Sequence, residues 1–360
     1  MGGPRLGPHV VNRLEETTVG KYLAGHLLVA VVLFGCGSPL RDLHVGLARP
    51  LEPAGVRGVE MRYLGNGGWL IHRGRNVIAT APFVSNPGGL KVYLPSTPRT
   101  ALIDALVPPM PDVTIMLIGH GHYDHAMDLP HVLSTQARNA KLYGSKTVKH
   151  LLGKTVGHDK VVSVSEGGDP ARGLTPGRWV SSPDGFVRFM PLSSTHAPHL
   201  FGFVKLVSRG GLTEDVDATP SVPAFWPEGE TLAFLIDFLG PDKKTVELRI
   251  YYQDAASRPG TGIVPELTGP YAAPVDVAIL CVAGFSQVPD NPEHILSNVK
   301  PRRIVGGHWE DFFFWPDRNV IRSAPGTSIE EFVRRARAVS PAPIYMVEPG
   351  TTLSFPLDGS

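Results

Sequence analysis

Two cysteines in 360 residues, Cys36 and Cys281, are too few for a disulfide framework. They also leave no CxxC pair for a structural zinc site. Cys281 sits in the apolar run VDVAILCVA, the setting of a buried strand residue. An excess of charge of either sign is missing as well. Of 34 basic and 33 acidic residues, positions 1–35 hold three and two, which leaves 31 of each sign in the body. A neutral body without a long basic run argues against nucleic acid as a partner. Beyond residue 36 no stretch approaches eighteen uninterrupted apolar residues, so the body is expected to be soluble. No fibrous or disordered bias is present either. What is abundant is glycine (40) and proline (35), which predicts many turns and loops.

The N-terminus reads as an address. Residues 22–36, YLAGHLLVAVVLFGC, follow Arg5, Arg13 and Lys21. Fifteen residues are short for a bilayer span but suit the apolar core of a signal. The run closes on Leu33-Phe34-Gly35-Cys36, which resembles a bacterial lipobox whose cysteine is lipidated and becomes the first mature residue. A cleaved secretory signal and a buried apolar segment are the alternatives. The lipoprotein reading implies a cell-envelope location, with membrane contact through a lipidated Cys36. Gly37 is not an Asp-type retention residue, which favours the outer membrane where two membranes exist. The expected division is a signal segment over 1–35, a tether over 36–58 and one catalytic domain over 59–360.

Regular patterning begins near residue 59. VEMRYLG, GWLIHRG and NVIAT read as short strands separated by turns. VTIMLIG (113–119) is continuously apolar, as a strand covered on both faces must be. Helical spacing follows at 129–138 and 145–152. FVRFMPLSS and FGFVKLVS read as strands, and TLAFLIDFL and VELRIYYQD as a hairpin. VDVAILCVA, RRIVGG and PIYMVE are later strands, with helices near 291–298 and 328–338. Two strand groups interleaved with helices fit two face-to-face sheets with helices outside.

The strand VTIMLIG runs into His120-Gly-His122-Tyr-Asp124-His125. Chance produces HxHxDH about once in a thousand chains of this composition, so a metal centre outranks a solvated polar loop. Positions 120 and 122 project together from an extended or tightly looped segment, while 124 and 125 project differently. One loop can thus serve two adjacent cations.

HxHxDH at a strand end resembles the metallo-β-lactamase superfamily, whose fold is a four-layer αβ/βα sandwich of the α/β class. Within it, LGNGGWLIHRGRNVIATAPF looks like the branch of ascorbate-lactonase-like and N-acyl-phosphatidylethanolamine phospholipase D-like proteins. The resemblance implies three further ligands at strand ends, His196, Asp254 and His308. It assigns His120, His122 and His196 to one metal, Asp124, His125 and His308 to a second, and Asp254 to both. Zinc is the expected metal, with manganese or iron as alternatives. Relatives carry Asp-Pro after the third strand and often a histidine in the first strand turn; this chain has Ala81-Pro82 and Asn66. The missing Asp normally orients a metal-bound imidazole, and such partners matter ~10–100-fold.

These residues imply a dinuclear metallo-hydrolase that uses a metal-bridging hydroxide on an ester, lactone, amide or phosphodiester bond of a small-molecule or lipid-like substrate. Asp124 and His199 are the candidate catalytic groups beyond metal binding. Tyr123, Trp309, Glu310 and Asp311 are candidate substrate contacts. Phe225 and Trp226 suggest either part of a lid or a pin for their loop. An iron-dependent oxidoreductase of the same fold and a non-catalytic envelope binding protein are the rival classes.

Overall fold

In the strand that leads to the motif, Ile115 and Leu117 join one buried cluster while Met116 and Ile118 join another. The period of two thus lets one short strand feed two cores, which is why its sequence is apolar throughout. The computed structural model describes residues 37–43, 46–48, 58–165, 177–198, 210–313, 316 and 320–356. His199, Cys36 and the strand expected at 201–208 lie outside the described residues.

The first sheet contains β1 (Gly58–Gly65), β2 (Gly68–Arg73), β3 (Asn76–Thr80), β4 (Ile115–Leu117), β5 (Lys141–Gly144), β6 (Val161–Ser163) and β14 (Thr352–Pro356). Its order is β14-β1-β2-β3-β4-β5-β6. The first four of these strands pair antiparallel and β3 to β6 run parallel. The second sheet holds β7 (Val180–Ser181), β8 (Val187–Ser193), β9 (Leu232–Leu239), β10 (Val246–Gln253), β11 (Val277–Cys281), β12 (Arg303–Gly307) and β13 (Ile344–Met346). Its order mirrors the first, β13-β12-β11-β10-β9-β8-β7, antiparallel from β7 to β10 and parallel beyond.

The two sheets share a core in which Met61, Trp69 and Leu117 meet Phe189, Phe234 and Tyr252. On the outer face of the first sheet, Ala79, Met116 and Leu142 pack with Ile103, Val132 and Leu151. These belong to helices α1 (Thr100–Leu106), α3 (Leu129–Ser134) and α4 (Lys146–Val156). Helices α5 (Glu293–Val299) and α6 (Ile329–Val339) pack with the second sheet through Ile295, Phe332 and Val333. The result is the expected four-layer αβ/βα sandwich. Helix starts follow sequence signals: Ser145 Oγ accepts from Val148 N–H (3.2 Å) and Ser328 Oγ from Glu331 N–H (3.1 Å). Among the described residues no helix is long and apolar enough to cross a membrane.

The segment read as a tether lies against the body where it is described. Ser323 N–H donates to Ser38 O (3.0 Å), Arg322 to Gly37 O (3.0 Å) and Ala48 N–H to Ile344 O (2.8 Å). Leu40, Leu43 and Leu47 pack on the inter-sheet core.

Just past the motif, buried Asp128 accepts from the backbone N–H groups of Val84 (2.7 Å) and Ser85 (3.0 Å). Burial pushes its carboxyl up to about 6, although those donors favour the ionised form. The folded pKa is thus above the unfolded value, and the group's contribution is full below about pH 4 and lost as pH rises through 6. Two units correspond to at most about 3 kcal/mol. Asp128→Asn keeps an acceptor for both amides and removes the charge. It is expected to stabilise the metal-free protein by about 1–3 kcal/mol at pH 8 and by almost nothing at pH 4. Denaturant unfolding at the two pH values checks this; an equal shift at both would refute it.

Candidate metal centre

Five of the seven ligand candidates follow strand ends or lie in the loop after β4, and Asp124 and His125 lie on a short helix in the same segment. His120 is three residues past β4, His196 three past β8, Asp254 directly after β10 and His308 directly after β12. His122 caps a four-residue helix, α2 (Tyr123–Ala126), that the sequence reading did not anticipate. That turn presents Asp124 and His125 beside His308, while the His125 ring centroid also lies 4.3 Å from that of His120.

Three groups have candidate ligand atoms within 4.8 Å of one another: His120, His122 and His196; His120, His125 and Asp254; Asp124, His125 and His308. The middle group joins the outer two, which places Asp254 between them. Asp254 Oδ1 lies 3.2 Å from His120 Nδ1, and Oδ2 accepts from Gly119 N–H at 2.8 Å. Asp124 Oδ2 lies 3.3 Å from His308 Nε2 and 3.5 Å from His125 Nε2. Every member is buried except His196, which is partly exposed.

The donors fit divalent cations. His120 Nε2, both ring nitrogens of His125, and His308 Nδ1 are buried without a hydrogen bond. Each unsatisfied polar atom costs ~1–3 kcal/mol, so these three rings form an expensive arrangement that a cation on one nitrogen of each would relieve. Protonation states agree at His125, Asp124 and Asp254, whereas at His120 burial lowers the imidazole but the Asp254 carboxylate overcomes it and pushes it up. Burial, with the positive field of His120 and His308, outweighs Asp124 and Asp254 and brings His125 down to about 4, so its imidazole is neutral at pH 7. Burial alone would raise Asp124 and Asp254, but neighbouring imidazoles overcome it and hold both carboxyls low. Neutral imidazoles and ionised carboxylates are the ligand forms that metals require.

The surrounding support was only partly visible in sequence. Asn66, at φ 51, donates through Nδ2 to the Asp124 carbonyl (3.0 Å) and through its backbone N–H to Glu310 Oε1 (2.5 Å). Tyr63 donates to Glu310 Oε2 (2.5 Å) and accepts from His308 N–H (2.8 Å). Asn66 and Glu310 therefore clamp the β1–β2 turn, the motif and the His308 loop together. Glu310 is fully buried and supports the site from behind, not as a substrate contact. Trp309 is also fully buried, donating to Val347 O (3.0 Å). Asp311 accepts from Phe313 N–H (3.2 Å) and is nearly buried. Ala81 is buried and supplies no carboxylate from β3. Trp226 pins its own loop by donating to Pro220 O (2.9 Å), and Phe225 beside it is exposed.

Above the ligands opens a cleft of about 150 Å³. Its walls include Val92, Tyr93, Tyr123, Phe312, Phe313 and Pro325. Of these only Tyr123 was singled out from sequence. The aromatic run Phe312-Phe313 directly behind the last ligand was the available signal for the rest.

No family model matches the chain, and no curated protein matches it. Solved structures do. Igni18, a metallo hydrolase from the hyperthermophilic archaeon Ignicoccus hospitalis, is 16% identical over 83% of this chain and 98% of that one, with a TM-score of 0.47. YhfI from Bacillus subtilis, a metallo-β-lactamase fold protein, is 12% identical over 83% and 100%, with a TM-score of 0.46. A variant of the CmlA β-hydroxylase is 15% identical over 85% and 55%, with a TM-score of 0.45. Such likeness concerns architecture and transfers no activity. The architecture itself is two mirrored seven-stranded sheets between helical layers, the αβ/βα sandwich expected from the sequence.

Proposed function

We propose that the chain is a dinuclear metal-dependent hydrolase acting on an ester, lactone, amide or phosphodiester bond. The observation that carries this reading is the buried cluster of seven ligand-type side chains, with unpartnered ring nitrogens, on the floor of an open cleft. His120, His122 and His196 would hold one divalent cation, and Asp124, His125 and His308 a second. Asp254 would serve both. Bound zinc, or manganese or iron, lowers the pKa of water toward 7 and polarises a carbonyl or phosphoryl oxygen.

The chain's own residues supply the rest. Asp124 stays ionised and lines the cleft, where it can take a proton from the nucleophile and pass it to the leaving group. Asn66 fixes the backbone of Asp124, and Glu310 fixes Asn66. The apolar walls exclude water and accept the apolar part of a substrate. Cys281, also in the wall, is no rival nucleophile, because burial pushes its thiol well above the usual range. His199 is retained as a second candidate proton carrier on its position three residues past His196. The lactonase-like or phospholipase D-like branch is supported by the run 64–83 alone.

Turnover of a panel of lactone, phosphodiester, ester and β-lactam substrates tests the reaction class. Metal-dependent hydrolysis of one class, lost on chelation and restored by zinc or manganese, is the expected outcome. Oxygen consumption by an iron-loaded protein without hydrolysis would assign it to the oxidoreductases. We further propose an envelope location with Cys36 as the lipidated first residue. Mass spectrometry of the protein from its native host should show a diacylated Cys36; an intact Met1 would refute it.

A further inference from the structure

Six large apolar side chains are exposed among the described residues, and three of them lie on two adjoining turns, one of which supplies cleft wall. Leu90 (40%) and Leu94 (58%) flank the wall residues Val92 and Tyr93 on the 3-10 turn Gly89–Tyr93. Phe225 (64%) lies on a second such turn, Pro223–Phe225, which packs against the first. Ser96 N–H donates to Ser221 O (2.8 Å), and Gly89 N–H donates to Phe313 O (3.2 Å). The three side chains therefore belong to one rim. Exposed Lys91 sits among them.

The residues that follow the N-terminal run in sequence are bonded beside another part of the cleft wall. Gly37 and Ser38 are bonded to Arg322 and Ser323, and the next residues, Ala324 and Pro325, form cleft wall. Cys36 precedes Gly37 by one peptide unit, about 3.8 Å. From there the chain leads to the opposite edge of the body, where Arg337 donates to Gly46 O (2.6 Å) and Ala48 meets Ile344. Residues 37–48 are thus bonded to the body at both ends.

We propose that the cleft mouth faces a lipid bilayer, with Leu90, Leu94 and Phe225 dipping into its interface and Lys91 among the headgroups. Scattered exposed apolar residues need no explanation, but a cluster beside a cleft wall does. The occupant is a lipid surface because the fifteen-residue run ends at Cys36, and Gly37 after it is bonded beside the cleft wall. The inference rests on Cys36 being held at a membrane through its acyl chains and is independent of the hydrolase reading. Access to the cleft would then be from the interface, which suits an amphiphilic ligand.

The test uses the Cys36-lipidated protein from its native host on phosphatidylcholine–phosphatidylglycerol vesicles. Leu94→Cys, Phe225→Cys and Val339→Cys each carry an environment-sensitive fluorophore, and the unsubstituted chain supplies the background. Val339 is the control, because it ends the 11-residue helix α6, which starts two residues after the wall residue Thr327. That length carries it about 15 Å away. Acyl-chain nitroxides should quench positions 94 and 225 about threefold more than 339. Equal quenching at all three, or a chain that stays off the vesicles, would overturn the proposal. So would a rim already shielded in lipid-free solution with concentration-dependent self-association, which would assign the patch to a second copy. None of these readouts depends on turnover.

Discussion

Asp254→Ala abolishes turnover while the fold persists: kcat falls by about a thousandfold or more, and far-ultraviolet circular dichroism is unchanged. Partners outside the first coordination sphere already matter ~10–100-fold, and Asp254 stands between both ligand groups, so its loss exceeds that range. It also leaves His120 Nδ1 and Gly119 N–H without their acceptor. Those two losses cost about 1–3 kcal/mol each, partly offset by removing a buried carboxylate. The fold survives because Asp254 follows β10 and contributes nothing to the inter-sheet core. Activity within tenfold of the parent would show that the bridging role belongs to another carboxylate.

Gly119→Ala is the second large effect, produced by a single methyl group. A Cβ at Gly119 would fall onto the Asp254 carboxylate, 2.6 Å from Oδ2. The same residue's N–H holds that oxygen at 2.8 Å, so the ligand cannot move aside and keep its hydrogen bond. Overpacking of this kind costs ~1–3 kcal/mol in stability. The expected functional cost is larger, at least a hundredfold in kcat/KM with weakened metal retention, because displacement by about 1 Å is enough to cost that much. Titration with a chromophoric chelator measures the retention. Full metal retention with unchanged kcat/KM would mean the Asp254 carboxylate has room that the structure does not show.

The metal motif was legible because its information is local. HxHxDH follows a continuously apolar strand, and both features lie in thirteen consecutive residues. His196, Asp254 and His308 were reached through family order, since a lone residue after a strand carries no signal of its own. The clamp formed by Tyr63, Asn66 and Glu310 was invisible for a related reason. Asn66 and Glu310 are 244 residues apart, and no periodicity links them. Glu310 therefore read as a candidate substrate contact beside the last ligand, when its carboxylate is buried. Strands β5, β6, β7 and β14 were not anticipated: all but β14 are four residues or fewer, too short for alternation to register. Asn66 and Ala81 looked like losses relative to the family. Asn66, fixed by Glu310, turns out to hold the motif backbone, whereas Ala81 offers only its backbone N–H, to Leu117 O (2.9 Å).

The central claim is that one chain binds two cations. The direct measurement is elemental analysis of the purified full chain after zinc loading and removal of free metal, normalised to protein by amino-acid analysis. Two equivalents per chain, falling in Asp254→Ala, is the result this account predicts; one equivalent or none in the parent chain would contradict it.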